Sequence, residues 1–179
     1  MLTELFWIPT SFAGRLAAAP RPRGGDWLDD EISAWERSGV TMLVSMLTPE
    51  EATELDLEAE ATTSAAHGIN FRSLPIPDRD VPASRSAFRD LVADITRELE
   101  AGGRVAVHCR QGIGRAGLVA TGVLIASGIT PDAAVAVVSA ARGRPVPETP
   151  VQRRWLDEFA DETLIPAGAT GGQHEDERG

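Results

Sequence analysis

At 179 residues the chain has the length of one domain, and its 42% hydrophobic and 25% charged composition is that of a globular protein, not a disordered one. The 17 basic and 27 acidic side chains leave a net charge of −10, which disfavours nucleic acid or an anionic lipid surface as the principal partner. No run approaches the roughly 18 apolar residues a membrane-spanning helix needs. All the basic residues are Arg, so every cationic contact is a planar fork suited to oxyanions. Cys109 is the sole cysteine, which excludes an intramolecular disulfide or a Cys-rich zinc cluster and predicts a reducing, cytoplasmic setting. The opening Met1 to Pro20 has an apolar patch but no basic n-region, and Glu4, Pro9 and Arg15 interrupt it, so it is read as mature protein.

The first predicted helix carries Trp27, Leu28, Ile32 and Trp35 and stops at Ser38-Gly39. Val40 to Leu47 is a β-favouring run. Thr48-Pro49-Glu50-Glu51 then supplies an N-cap, a first-turn proline and acids that suit the helix dipole, predicting one helix that reaches toward His67-Gly68. Its acidic stretch Glu50 to Glu60 is expected to be a solvated face, and His67 a capping or surface residue. Ile69 to Ile76 predicts another strand, followed by a proline-braced loop carrying Asp78, Arg79 and Asp80. Ser84 opens a helix with Phe88, Leu91, Val92, Ile95 and Leu99 on one face. Arg104 to His108 is a brief buried strand, and helices are predicted from Arg115 to Ser127, from Thr130-Pro131 through Ala141, and from Thr149 through Phe159.

Strands alternating with helices predict an α/β fold: a central, mostly parallel sheet flanked by helices on both faces, with ligands at the carboxyl ends of the strands. The expected organisation is a single domain over residues 1–165 and a disordered polar tail over 166–179.

The chemistry concentrates in the stretch from Val105 to Gly117. A loop between a strand end and a helix N-terminus can aim consecutive backbone N–H groups inward as an anion nest, and Gly112 and Gly114 permit the tight curl. Arg115 can grip two phosphate oxygens. The same field favours the Cys109 thiolate, a nucleophile able to attack phosphorus in line. Asp78 is the candidate acid for the leaving group and base for the hydrolytic water, with Asp80 as the alternative.

These residues, His108-Cys109-Arg110-Gln111-Gly112-Ile113-Gly114-Arg115, resemble the signature loop of cysteine-dependent protein tyrosine phosphatases. The stretch Leu74 to Asp78 resembles the general-acid loop of their dual-specificity branch. Arg142-Gly143-Arg144 through Gln152 is similar to the closing segment of the cyclin-dependent-kinase-associated phosphatases. The resemblance implies a phosphatase fold, a phosphocysteine intermediate on Cys109, and phosphate binding by Arg110 to Arg115. It further implies a supporting His108, placement of the hydrolytic water by Gln152, and Arg142 and Arg144 near the pocket rim. No metal or cofactor is expected, and a phosphorylated protein is the expected substrate, because Arg110 is the only extra cation between Cys109 and Arg115 and the chain is acidic. Ala116 stands where the family usually has Ser or Thr, which predicts slow breakdown of the intermediate.

Three alternatives accompany this reading: a phosphate-binding module that captures phosphorylated partners without turnover, a phosphatase of phosphoinositides or small phosphates, and a dinucleotide site. The last rests on the Gly-x-Gly-x-x-Gly pattern of Gly112 to Gly117 with Asp132 following; it is weakened because Asp132 sits at a helix start.

Overall fold

Five strands form one sheet in the computed structural model, which describes residues 3–164; the tail expected over 166–179 lies outside the described residues. The strands are β1 (Phe6–Ile8), β2 (Arg15–Pro20), β3 (Met42–Ser45), β4 (Asn70–Ser73) and β5 (Arg104–Cys109), in the order β1-β2-β5-β3-β4. Only β1 is antiparallel to its neighbour; β2, β5, β3 and β4 run parallel, as the alternation of strands and helices requires. The central strand β5 pairs Pro20 with Cys109 on one side and Ser45 with His108 on the other. Cys109 therefore emerges at the carboxyl edge of the most enclosed strand.

Side chains alternate across this sheet. Leu16, Ala18, Val105, Val107 and Cys109 face α4 (Arg85–Glu100), α5 (Gly114–Ala126), α6 (Pro131–Arg142) and α7 (Pro150–Leu164). Ala19, Leu43 and Ala106 face α1 (Leu28–Arg37) and the segment holding α2 (Pro49–Glu54) and α3 (Glu60–Ala66). The five-stranded sheet with helices on both faces is the expected architecture. Helix α5 is buried nearly all round, which explains its apolar, small-residue sequence. Phe88 of α4 meets Trp155 and Phe159 of α7 edge to face, at 4.5 and 5.1 Å between ring centres.

Two features depart from the sequence reading. Strands β1 and β2 lie in the opening segment, where no element was predicted. Between Thr48 and His67 there are two helices instead of one. The Thr48 capping box starts α2 as expected, but Asp56 takes a left-handed φ of 54° and Leu57 turns fully into the core. The Asp56 carbonyl accepts a hydrogen bond from Gly25 N–H at 2.9 Å, which holds the break in place.

His67 closes α3 against α1, with Nδ1 2.9 Å from Glu36 Oε2 and Nε2 2.9 Å from Asp29 Oδ1. Its hydrogen bonds to Asp29 and then to Glu36 raise its pKa above the ordinary 6.5. A proton bound more tightly in the folded chain stabilises it fully below the unfolded value, and that contribution is lost as pH rises through the folded one. The thermal midpoint of wild type should therefore exceed that of His67→Gln at pH about 6 and converge with it at alkaline pH; a difference independent of pH would show the contact is packing alone.

Candidate active site

The loop after β5 closes tightly over the edge of β2. Gly112 sits at φ +68°, and a Cβ there would lie 2.3 Å from the carbonyl carbon and oxygen of Ala19. Only glycine meets both demands, the left-handed turn and the backbone approach. Gly112→Ala is expected to incur about 1–3 kcal/mol of backbone strain before any steric clash and to splay the loop. Loss of tungstate affinity in a folded variant would register this; unchanged affinity would refute it.

Beyond Gly112 the loop enters α5, whose first turn is capped by no side chain, leaving its N–H groups to an anion. A cavity of about 230 Å³ opens over this turn, lined by Asp78, Arg79, Cys109, Arg110, Gln111, Ile113, Gly114, Arg115 and Glu148. The parallel run of β4, β3 and β5 thus brings the predicted loop and Asp78 to one place, although 31 residues separate Asp78 from Cys109 in the chain. Asp80 does not line the cavity; its Oδ1 accepts a hydrogen bond from Val81 N–H at 2.8 Å.

Arg115 is 1% exposed and heavily engaged. Its Nη1 donates to Glu51 Oε2 at 2.6 Å and to the Ile76 carbonyl at 2.8 Å, and its Nη2 donates to Glu51 Oε1 at 3.0 Å. Nη2 also lies 3.2 Å from Asp78 Oδ1. Glu51 reaches across to Arg110 as well, at 3.3 Å, and Glu54 holds Arg110 through both carboxylate oxygens at 3.2 and 2.8 Å. Burial pushes the Glu51 carboxyl up, but the Arg115 hydrogen bonds and charge, the Thr48 N–H and Arg110 together hold it down at about 2.

This corrects the expectation for Glu50 to Glu60. Glu51 and Glu60 are buried, because each faces a buried cation or imidazole that a solvated helix would not supply. Glu60 Oε1 lies 2.9 Å from His108 Nε2, both side chains being essentially inaccessible. His108 points to the face opposite Cys109, beside Trp35, and its carbonyl accepts a hydrogen bond from Met46 N–H at 3.0 Å. The capping box Thr48-x-x-Glu51 was the one sequence signal that could have singled out Glu51.

Arg142 is a second correction. It is not at the rim but behind the loop, 8% exposed, donating from Nε to the Gly112 carbonyl at 2.6 Å and from Nη2 to the Gln111 carbonyl at 3.1 Å. A left-handed Gly143 ends α6 directly after it, and Arg144 is exposed and does not line the cavity. Gln152 is fully buried; its Oε1 accepts from the N–H groups of Glu148 and Thr149, and its Nε2 donates to the Asp80 carbonyl at 2.9 Å. It thereby ties the Asp78 loop to the start of α7. Ala116 is buried in the first turn of α5. Among the described residues no cluster of three His, Cys, Asp or Glu could hold a metal ion, and no helix is long and apolar enough to cross a membrane.

Comparison with known proteins gives a consistent result. A family model described as polymorphic toxin system, DSP-PTPase phosphatase, matches residues 17–129. Among solved structures, kinase associated phosphatase (KAP) with its catalytic-site cysteine replaced by serine superposes with a TM-score of 0.82 at 18% identity, covering 91% of this chain and 97% of that one. Tk-PTP in its active form gives 0.70 at 25% identity, covering 83% and 92%. PTPMT1 in complex with PI(5)P gives 0.70 at 19%, covering 88% and 96%. No curated protein sequence matches the chain.

Proposed function

The chain belongs to the DSP-PTPase phosphatase family of polymorphic toxin systems, and on that premise we propose that it hydrolyses phosphomonoesters of proteins through a phosphocysteine on Cys109. The observation that carries this reading is the convergence of Cys109, Arg115, Asp78 and the uncapped first turn of α5 on one cavity of about 230 Å³.

In this reading the phosphoryl oxygens take the N–H groups of the loop from Arg110 to Arg115. Two Nη1 bonds of Arg115 are committed to Glu51 and Ile76, and one Nη2 bond to Glu51. Nε has no protein partner among the described residues, and the second Nη2 hydrogen is shared only with Asp78. A phosphoryl group takes that Nε and Nη2 edge bidentately, and Asp78 is displaced toward the leaving oxygen. The Cys109 thiolate attacks phosphorus, the P–O bond to the leaving group breaks, and the Asp78 carboxyl donates its proton to the departing oxygen. Water then attacks the phosphocysteine, Asp78 takes a proton from it, and phosphate leaves as the thiolate re-forms. Gln152 acts in this scheme by holding the Asp78 loop closed; a direct part in placing the water requires its amide to leave the Asp80 carbonyl.

The rim supports a singly phosphorylated protein over a polyphosphorylated inositide. Arg110 is taken up by Glu54 and Glu51, Arg79 by Glu148 at 3.2 Å, and Arg142 by the loop carbonyls. The cavity lining thus offers no uncompensated cation to a second phosphate. The lone thiol supports action in a reducing compartment such as the cytoplasm.

The test is steady-state hydrolysis of para-nitrophenyl phosphate and of phosphotyrosine, phosphoserine and phosphothreonine peptides without added metal, beside a polyphosphorylated phosphoinositide. Multiple turnovers with the peptides favoured support the proposal. A burst of one product per chain followed by arrest would favour the phosphate-capture reading, for which Ala116 is the specific observation. Ala116→Ser would then restore turnover.

A further inference from the structure

We infer that Arg142 is a positioning residue of the phosphate-binding loop: it draws two loop carbonyls backward and so aims the following N–H groups into the cavity. The inference rests on the reading of Arg110 to Arg115 as that loop.

In a planar trans peptide the carbonyl of one residue and the N–H of the next point in opposite directions. Pinning the Gln111 and Gly112 carbonyls on the outer side therefore turns the N–H groups of Gly112 and Ile113 the other way. The loop's carbonyls can be accounted for one by one. Arg110 O accepts from Arg21 N–H at 3.4 Å, and Ile113 O from Gly117 N–H at 2.9 Å inside α5. The two between them, at Gln111 and Gly112, are the ones Arg142 takes, at 3.1 and 2.6 Å. With these four tied outward, the curl is set before any anion arrives, and binding need not order it.

Arg142 is itself braced. Its guanidinium carbon lies 3.8 Å from the centre of the Phe6 ring on β1, and Gly143 ends its helix immediately afterwards. Burial lowers its pKa, while the nearby Cys109 acts in the opposite sense, consistent with a cation placed behind the nucleophile. This gives a purpose to the antiparallel edge strand β1, which supplies the surface on which Arg142 is stacked. Lysine has neither the fork for two carbonyls nor the flat face for Phe6.

The experiment compares wild type with Arg142→Met, Arg142→Lys and Phe6→Leu, using calorimetric binding of tungstate as the probe, steady-state kinetics on para-nitrophenyl phosphate, and circular dichroism. Arg142→Met should bind tungstate roughly tenfold or more weakly and lose about 10²-fold in kcat/KM, with KM raised as well as kcat lowered. Arg142→Lys should recover only part of both losses, and Phe6→Leu should fall between wild type and Arg142→Lys. A folded Arg142→Met that binds tungstate like wild type overturns the inference. Should Arg142→Met not fold, an Arg142→Lys variant with wild-type tungstate affinity overturns it equally. Wild type that binds tungstate without turnover would defeat the phosphatase reading while leaving the tungstate comparison intact.

Discussion

Cys109→Ser is expected to abolish turnover, by on the order of 10⁴-fold or more, while leaving the affinity for phosphate or tungstate at least as high as in wild type. The two side chains differ by one atom, and Cys109 is 3% exposed at the floor of the cavity, so the surrounding loop has nothing to rearrange around. What changes is chemistry. The proposed mechanism uses the Cys109 thiolate as its nucleophile, whereas a serine hydroxyl in the same place is a far weaker nucleophile with no adjacent base to take its proton. Asp78 is not that base in the proposed scheme, because it serves the leaving oxygen, which an in-line attack puts on the far side of phosphorus from the nucleophile. Removing the sulfur also removes a negative charge from beneath the bound oxyanion, which is why binding should not suffer. Tungstate calorimetry and single-turnover hydrolysis, run side by side, separate the two effects. Residual multiple turnover by the serine variant would place the nucleophile elsewhere.

How much of this was legible in the sequence depended on whether the physics was local. Cys109, Gly112, Gly114 and Arg115 fall within seven residues, and a strand, a tight turn and a helix start leave local traces, so the loop could be read directly. Helices α1 and α4 were visible because their apolar positions recur at the helical period, and α6 and α7 because Thr130-Pro131 and Thr149 mark their starts. Strand β2 was not, since Leu16-Ala17-Ala18-Ala19 carries no alternation. It is buried on both faces between α5 and the opposite layer, and alanine, a helix former, is used there for its small size. The partners of Glu51 and Arg142 were illegible for another reason. Arg115 lies 64 residues beyond Glu51, and Gly112 lies 30 before Arg142. An acidic helix turn and a helix-terminal arginine look the same whether solvated or buried, and only the sheet order that brings α2 beside α5 and α6 behind the loop decides between them.

Glu51→Gln carries the largest expected loss of stability. Arg115 is buried, and two of its hydrogen bonds end on the Glu51 carboxylate; an amide there offers one acceptor and an N–H₂ that repels the guanidinium. Removing one partner of a buried ion pair typically costs about 3–5 kcal/mol, since the remaining charge stays desolvated. The acid dependence gives an independent measure of the same interaction. A carboxyl held at about 2 in the folded chain against 4.5 in the unfolded one contributes about 3 kcal/mol at neutral pH. The sign is fixed by proton uptake: below pH 4.5 the unfolded chain binds the proton first, so wild type loses stability as the medium is acidified from 4.5 toward 2. The glutamine variant has no such proton to bind. Urea denaturation should therefore show a large gap between the two at pH 7 that narrows steadily below pH 4.5. A gap of constant size down to pH 3 would mean that the charge of the Glu51 carboxylate is not what stabilises the chain. The functional consequence runs through Arg115: without the carboxylate that fixes its plane, the Nε and Nη2 edge offered to phosphate is free to rotate, and kcat/KM should fall even in conditions where the variant remains folded.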